Sequence, residues 1–180
     1  IKESFPYVEG VTVRQVFPTT VKLEIHECLP LATVQSEGAW WILDADGKIL
    51  ERTEESLASE YIQVAGLTLV EPQVGAYAQV EETSELMLQA LKGILTALEA
   101  GGIYGNANWI DLTSRTEVDM GYLGRFTVRL PVNMDYGDKK KHNAEYIRKI
   151  EILAGMVPQL DESDRGTIDL RGQDGHFIPV

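Results

Sequence analysis

The chain has 180 residues, 44% of them hydrophobic and 8% aromatic, with 28 acids against 16 Lys and Arg and a net charge of −12. That length can bury a sizeable core, and that apolar content excludes a disordered chain. The charge argues against nucleic acid or anionic lipid as partners, and a single cysteine excludes a disulfide framework and a multi-cysteine zinc site.

In chain order, the first pattern is a hairpin. Val11, Val13 and Gln15 alternate with Thr12, Arg14 and Val16; after Phe17-Pro18-Thr19-Thr20, Val21, Leu23 and Ile25 alternate with Lys22, Glu24 and His26. Period two with β-branched residues is the signature of half-buried strands. Two strands alone are barely stable in water, so this hairpin is expected to be the tail of a small domain whose start is missing. Beyond Cys28-Leu29-Pro30, strands are predicted at 31–34 and 39–43, a turn at Asp44-Ala45-Asp46-Gly47, and a partner strand at 48–51. Residues 54–60 read as loop or a brief helix, and 61–64 and 67–70 as short strands around Gly66.

Residues 51–100 hold nine acids and two bases, so the negative charge is concentrated. Within them Met87, Leu91, Ile94, Leu95 and Leu98 form one apolar helical stripe. Thr83 or Ser84 can cap this helix, and Gly101-Gly102 ends it. Strands come next at 109–113, 117–120 and 125–130. A second helix is predicted from about His142 to Val157, with Lys139-Lys140-Lys141 at or just before its start, the unfavourable end for cations in the helix dipole. The chain closes with strands at 167–171 and 177–180. The fold class is α+β, a mostly antiparallel sheet with two helices packed on it.

The residues that chemistry uses are sparse. His26, His142 and His176 lie in different segments with no metal-ligand spacing, so no metal and no cofactor is assigned. Asp44 to Gly47 lacks the further ligands of a calcium loop and reads as a hairpin turn. The Gly101 to Gly105 segment comes after a helix, whereas a phosphate-cradling loop precedes one. Cys28 lies two residues from His26 on one strand face, but no third orienting group accompanies them, and the cysteine reads as a small hydrophobe. Paired acids such as Glu54/Glu55, Glu81/Glu82 and Asp161/Glu162 sit in polar runs rather than in an apolar pocket that raises a pKa. By absence, the chain is not an enzyme.

Several segments in order resemble the extracytoplasmic part of the bacterial cell-division family FtsQ/DivIB. Pro6, Val8, Val13, Phe17-Pro18, Thr20-Val21, Ile25, Glu27 and Pro30 match the end of that family's POTRA domain. Trp41 to Leu50, with its Asp-turn, Ile110-Asp111-Leu112-Thr113, the helix segment Lys149 to Leu153, and Gly166-Thr167-Ile168-Asp169-Leu170-Arg171 with Phe177 beyond it match its β domain. Cys28-Leu29 departs from the family's usual Arg-x before Pro30. The resemblance divides the chain into residues 1–28, a truncated POTRA hairpin, and 29–180, the β domain.

The resemblance implies a non-enzymatic divisome scaffold. Such a protein is held in the cell membrane by one helix not present here, with this part on the extracytoplasmic face and enriched at the septum. Its partners are the small coiled-coil proteins FtsL and DivIC/FtsB, which it links to septal peptidoglycan synthesis. A partner segment adds a strand beside the last strand of the β domain, which carries over to Thr167, Ile168, Asp169, Leu170, Arg171, Gly172 and Phe177. Arg171 is expected either to pair with a partner carboxylate or merely to solvate the edge. An alternative is a module binding cell-wall glycan or teichoic acid through Trp40, Trp41 and Trp109 with Lys139-Lys141, although those tryptophans also suit a core.

Overall fold

The computed structural model describes residues 5–132 and 137–180. The N-terminal hairpin is present: β1 (Val8–Val16) and β2 (Thr20–Glu27) pair antiparallel, with Val11 opposite Ile25 and Val13 opposite Leu23. Residues 1–4 of the segment assigned to this unit lie outside the described residues. The ribbon is a separate two-stranded sheet. Its apolar row stays in solvent, with Leu23 and Ile25 61% and 60% exposed, because two strands alone have nothing to pack it against.

Lys48, Tyr7 and Cys28 tie the ribbon to the rest of the chain. The ammonium of Lys48 donates to the carbonyls of Pro6 (2.6 Å) and Val8 (3.1 Å), the Tyr7 hydroxyl donates to Glu51 (2.8 Å), and the Cys28 amide donates to the Tyr7 carbonyl (2.8 Å). Cys28 itself is buried with Ile42 and Leu50, and burial pushes its thiol pKa up, as suits an unreactive side chain.

The remainder builds one nine-stranded sheet. Its strands are β3 (Ala32–Ser36), β4 (Ala39–Leu43), β5 (Ile49–Thr53), β6 (Ile62–Ala65), β7 (Ala107–Asp111), β8 (Glu117–Tyr122), β9 (Phe126–Pro131), β10 (Gly166–Asp169) and β11 (His176–Pro179). Their spatial order is β11-β10-β9-β8-β7-β6-β3-β4-β5. The sheet is mostly antiparallel, as expected. Parallel pairs occur between β3 and β6, β6 and β7, and β9 and β10, where long connections bring the chain back in the same direction. Two of those connections are the helices α2 (Glu85–Ala100) and α3 (Lys139–Met156). A short helix, α1 (Glu55–Ala58), lies against the other face, where Thr33 Oγ1 donates to the Ala58 carbonyl (3.1 Å).

The core lies between the sheet and α2 and α3. Every member of the predicted stripe of α2, Met87, Leu91, Ile94, Leu95 and Leu98, is buried there beside Ile150, Leu153 and the inward residues of the strands. At Gly93 the two helices approach closely; a Cβ there would collide with the Tyr146 ring and stand 2.9 Å from His142.

Three local expectations change. Residues 67–70 form no strand, although Leu67 and Leu69 are buried in alternation with Thr68 and Val70. Gly66, at φ +80°, turns the chain out of the sheet, and a Cβ there would meet Thr113 N at 2.5 Å. Ser84 is the N-cap of α2 but makes no side-chain cap bond; a single 3₁₀ turn, Glu82–Ser84, leads into the helix instead. Finally, α3 starts at Lys139 rather than His142. The Asp138 carboxylate accepts from the amides of Lys140 (3.1 Å) and Lys141 (3.2 Å), and Lys139 pairs with Asp46 at 2.7 Å, which offsets the adverse position of the lysines.

Candidate functional site

The predicted partner-binding residues converge on the C-terminal end of the sheet, but not all on its edge. Thr167, Ile168 and Asp169 belong to β10, which is hydrogen-bonded on both sides, to β9 and to β11. Its main-chain groups are therefore already in use. Among the described residues the open side belongs to β11, one strand further out. The final segment, expected as a strand at 177–180, pairs with β10 and covers it.

The direction of the exposed groups is set by the pairing. Val180 N donates to the Arg165 carbonyl (3.1 Å), and Thr167 faces Ile178 while Asp169 faces His176. In an antiparallel pair hydrogen-bonded residues alternate, so His176, Ile178 and Val180 turn their main chain towards β10, and Phe177 turns its N–H and C=O outward. Pro179, the next outward residue, has no N–H to offer and blunts the edge at its far end.

Side chains sort by face. Ile168 and Leu170 are fully buried in the core, so their role is to fix β10 rather than to meet a partner. Phe177 packs edge-on against Phe126 at 5.9 Å, which anchors the edge strand to β9 across β10. Ile178 points the opposite way and is 53% exposed.

The loop between β10 and β11 is held from behind by α3. Lys149, 1% exposed, donates to the Gly172 carbonyl and lies 3.5 Å from Glu145. Arg148 donates to the Gln173 carbonyl (3.0 Å) and pairs with the same Glu145 (3.1 Å). Hydrogen bonding to Arg148, with help from Lys149, holds the Glu145 carboxyl below its ordinary pKa despite partial burial. Gly172 thus enters the site through its main chain.

Arg171 is already paired within the chain. Its guanidinium donates to both carboxylate oxygens of Asp169, the shortest bond being 2.6 Å, and to Glu117 (2.5 Å). Beside it Arg129 forms a two-pronged pair with Asp119 (2.9 and 3.2 Å). Register explains the array: Asp119 faces Arg129 and Arg129 faces Asp169, so charges of alternating sign run across β8, β9 and β10 on the face away from the helices. Hydrogen bonding by Arg171 brings the Asp169 carboxyl down to about 2, and the same contacts raise the Arg171 pKa. Glu117, Asp119 and Arg129 were not singled out from sequence; the alternation of charged with buried residues along 117–121 and 127–131 is the signal that carries them.

The other predicted sites separate. Trp41 is buried, with its indole N–H donating to the Ser36 carbonyl (3.2 Å), whereas Trp40 and Trp109 lie on the open face of the sheet, and Lys139-Lys141 sit at the start of α3. The tryptophans and lysines therefore do not form one site. The Asp44 to Gly47 segment is a hairpin turn in which Asp44 Oδ1 accepts from the amides of Asp46 (3.0 Å) and Lys48 (2.8 Å). Among the described residues no group of three or more His, Cys, Asp or Glu is placed to hold a metal ion, and no helix is long and apolar enough to cross a membrane.

Fold and edge together define an α+β domain whose long mixed sheet is backed by helices on one face and ends in a short strand with an open side. Residues 32–171 match the family model described as cell division protein FtsQ/DivIB, C-terminal, and the chain belongs to that family. It is also 25% identical over 162 residues to the cell division protein FtsQ of Geotalea daltonii, a match covering 86% of this chain and 51% of that protein. The chain thus spans about half the length of the curated relative it matches. Its role is in cell division.

Proposed function

We propose that the outer side of β11 takes an added strand from another division protein, and that the chain acts as a scaffold rather than as a catalyst. The observation that carries this reading is the outward N–H and C=O of Phe177 on a strand that, among the described residues, is paired on one side only. An extended peptide gains main-chain bonds at such an edge, and alternate side chains set which peptide fits. The partners expected from the family are FtsL and DivIC/FtsB, met on the extracytoplasmic face at the septum and linked there to peptidoglycan synthesis. The full-length protein is then anchored in the cell membrane by one helix outside this sequence, with residues 1–28 ending a POTRA domain and 29–180 forming the β domain.

Of the residues expected at the interface, Phe177 presents the main chain, Thr167 lies behind it, and Ile178 is the exposed apolar contact. Arg171, Asp169, Gly172, Ile168 and Leu170 hold the strand pair in place. The test is binding of the chain to the extracytoplasmic segments of FtsL and DivIC or FtsB by calorimetry. Phe177→Pro, which removes the outward N–H, and Ile178→Glu are expected to weaken binding by at least about tenfold. Unchanged affinity in both variants, with folding verified by circular dichroism, refutes the edge as the site.

A further inference from the structure

The face of the sheet away from α2 and α3 carries a groove of about 490 Å³ that the edge strand does not touch, with Trp40, Trp109, Gln35, Gln63, Gly66 and Asp111 among its lining residues. We infer that this groove binds a neutral glycan strand. The inference is independent of the proposed role of β11.

Four features support it. First, two indoles stand over the same trough. Trp40 pairs with Gln35 across β3 and β4, and Trp109 pairs with Gln63 across β6 and β7, so the rings rise from strands three spacings apart, roughly 14 Å at the usual inter-strand distance. That is the reach of a short oligosaccharide, and ring faces of sugars pack on aromatic planes.

Second, the platform at Trp109 is built. Trp109 faces Gly121 across the β7–β8 pair, and a Cβ at 121 would collide with the indole nitrogen and stand 2.5 Å from its Cε2. The indole therefore lies down on bare backbone, with 37% of the residue still exposed. Gly121 has no positive φ, so the close approach of the ring is what its missing side chain permits.

Third, among the described residues the side-chain amides of Gln35 and Gln63 and the indole N–H groups of Trp40 and Trp109 make no hydrogen bond within the protein, whereas the buried Trp41 donates to Ser36. The groove offers donors and acceptors in the neutral pairs that hydroxyl and acetamido groups satisfy.

Fourth, charge excludes the anionic alternatives. The one ionisable group in the lining is Asp111, whose Oδ1 accepts from the Thr113 amide (2.8 Å), and no cation lines the trough among the described residues. In a chain of net charge −12, a polyanion such as a teichoic acid is repelled. The basic cluster at 139–141, which would favour a polyanion, lies elsewhere.

The experiment titrates the 15N-labelled chain with tetra-N-acetylchitotetraose and monitors the three indole N–H signals, with polyglycerol phosphate as the anionic probe. The inference expects Trp40 and Trp109 to shift while Trp41 stays fixed as an internal reference. It also expects affinity to fall by about tenfold or more in Trp109→Ala and in Gly121→Ala, where the new methyl lifts the ring, and to be partly kept in Trp109→Tyr. No shift at up to about 10 mM sugar, which limits any affinity to worse than about −3 kcal/mol, overturns it. So do equal affinities in folded Trp109→Ala and wild type, or a response to the polyanion and not to the sugar. Loss of peptide binding at β11 leaves all of these readings unaffected, so failure of one proposal is distinguishable from failure of the other.

Discussion

Replacing Lys149 by Met should loosen the C-terminal hairpin without unfolding the sheet. Met keeps most of the aliphatic stem that packs in the core and removes the ammonium that bonds the Gly172 carbonyl and faces Glu145. A hydrogen bond to a charged group contributes about 1.5–3 kcal/mol, and relief of burying the ammonium returns part of this, leaving a loss of about 1–2 kcal/mol. For a chain of this size that is a fall in Tm of about 2–8 °C. The local effect is the sharper readout. Gly172 starts the loop that delivers β11, and β11 is held by four residue pairs on one side only. Amide exchange at Ile178 and Val180, whose main chains face β10 and Arg165, is expected to quicken about 5–30-fold, while amides of the β1–β2 ribbon, whose local opening leaves the Gly172 contact in place, stay unchanged. No acceleration at β11, or an equal acceleration in the β1–β2 ribbon, refutes the assignment of Lys149 as the clamp of this loop.

Gly93→Ala drives a methyl into the Tyr146 ring and is expected to destabilise by about 1–3 kcal/mol, read as a lowered urea midpoint with unchanged slope. Asp138→Ala removes the side-chain cap of α3 and is expected to lower stability by about 1 kcal/mol in the same assay. Asp169 is held near 2 when folded, below its value of about 3.9 when unfolded, so its contribution is present above about pH 4 and is lost as pH falls towards 2. The stability difference between wild type and Asp169→Asn, under about 1 kcal/mol for a pair this close to solvent, should therefore vanish between about pH 4 and pH 2; a constant difference across that range contradicts the ion pair.

Periodicity made much of this fold legible. The stripe from Met87 to Leu98 carried α2, alternation carried the N-terminal ribbon, and the turn signal at Asp44 to Gly47 carried the strands on both sides of it. Alternation misled at 67–70, where Leu67 and Leu69 do point inward, because burial needs no strand partner and the left-handed turn at Gly66 has already taken the chain away from the sheet. The beginning of α3 was misplaced because three lysines in a first turn oppose the helix dipole, and their compensation comes from Asp46, 93 residues distant from Lys139 in sequence. The same limit applies at the candidate site. Which strand lies outermost depends on parallel pairing between β9 and β10, segments joined through a whole helix, and no local pattern encodes that order.

Lys48 has a consequence for how this protein can diverge. Its ammonium grips the carbonyl oxygens of Pro6 and Val8, and the Cys28 amide grips that of Tyr7, so the joint between ribbon and sheet reads the path of the chain and mostly ignores the side chains along it. Pro6 and Val8 can therefore drift in identity while the attachment survives, whereas a change at Tyr7, whose hydroxyl bonds Glu51, or at Lys48 weakens it. The information that fixes this joint is stored asymmetrically, mostly on the side of the nine-stranded sheet. Comparing substitution tolerance at 6 and 8 with that at 48, by a saturation library scored for folded protein, would display that asymmetry directly.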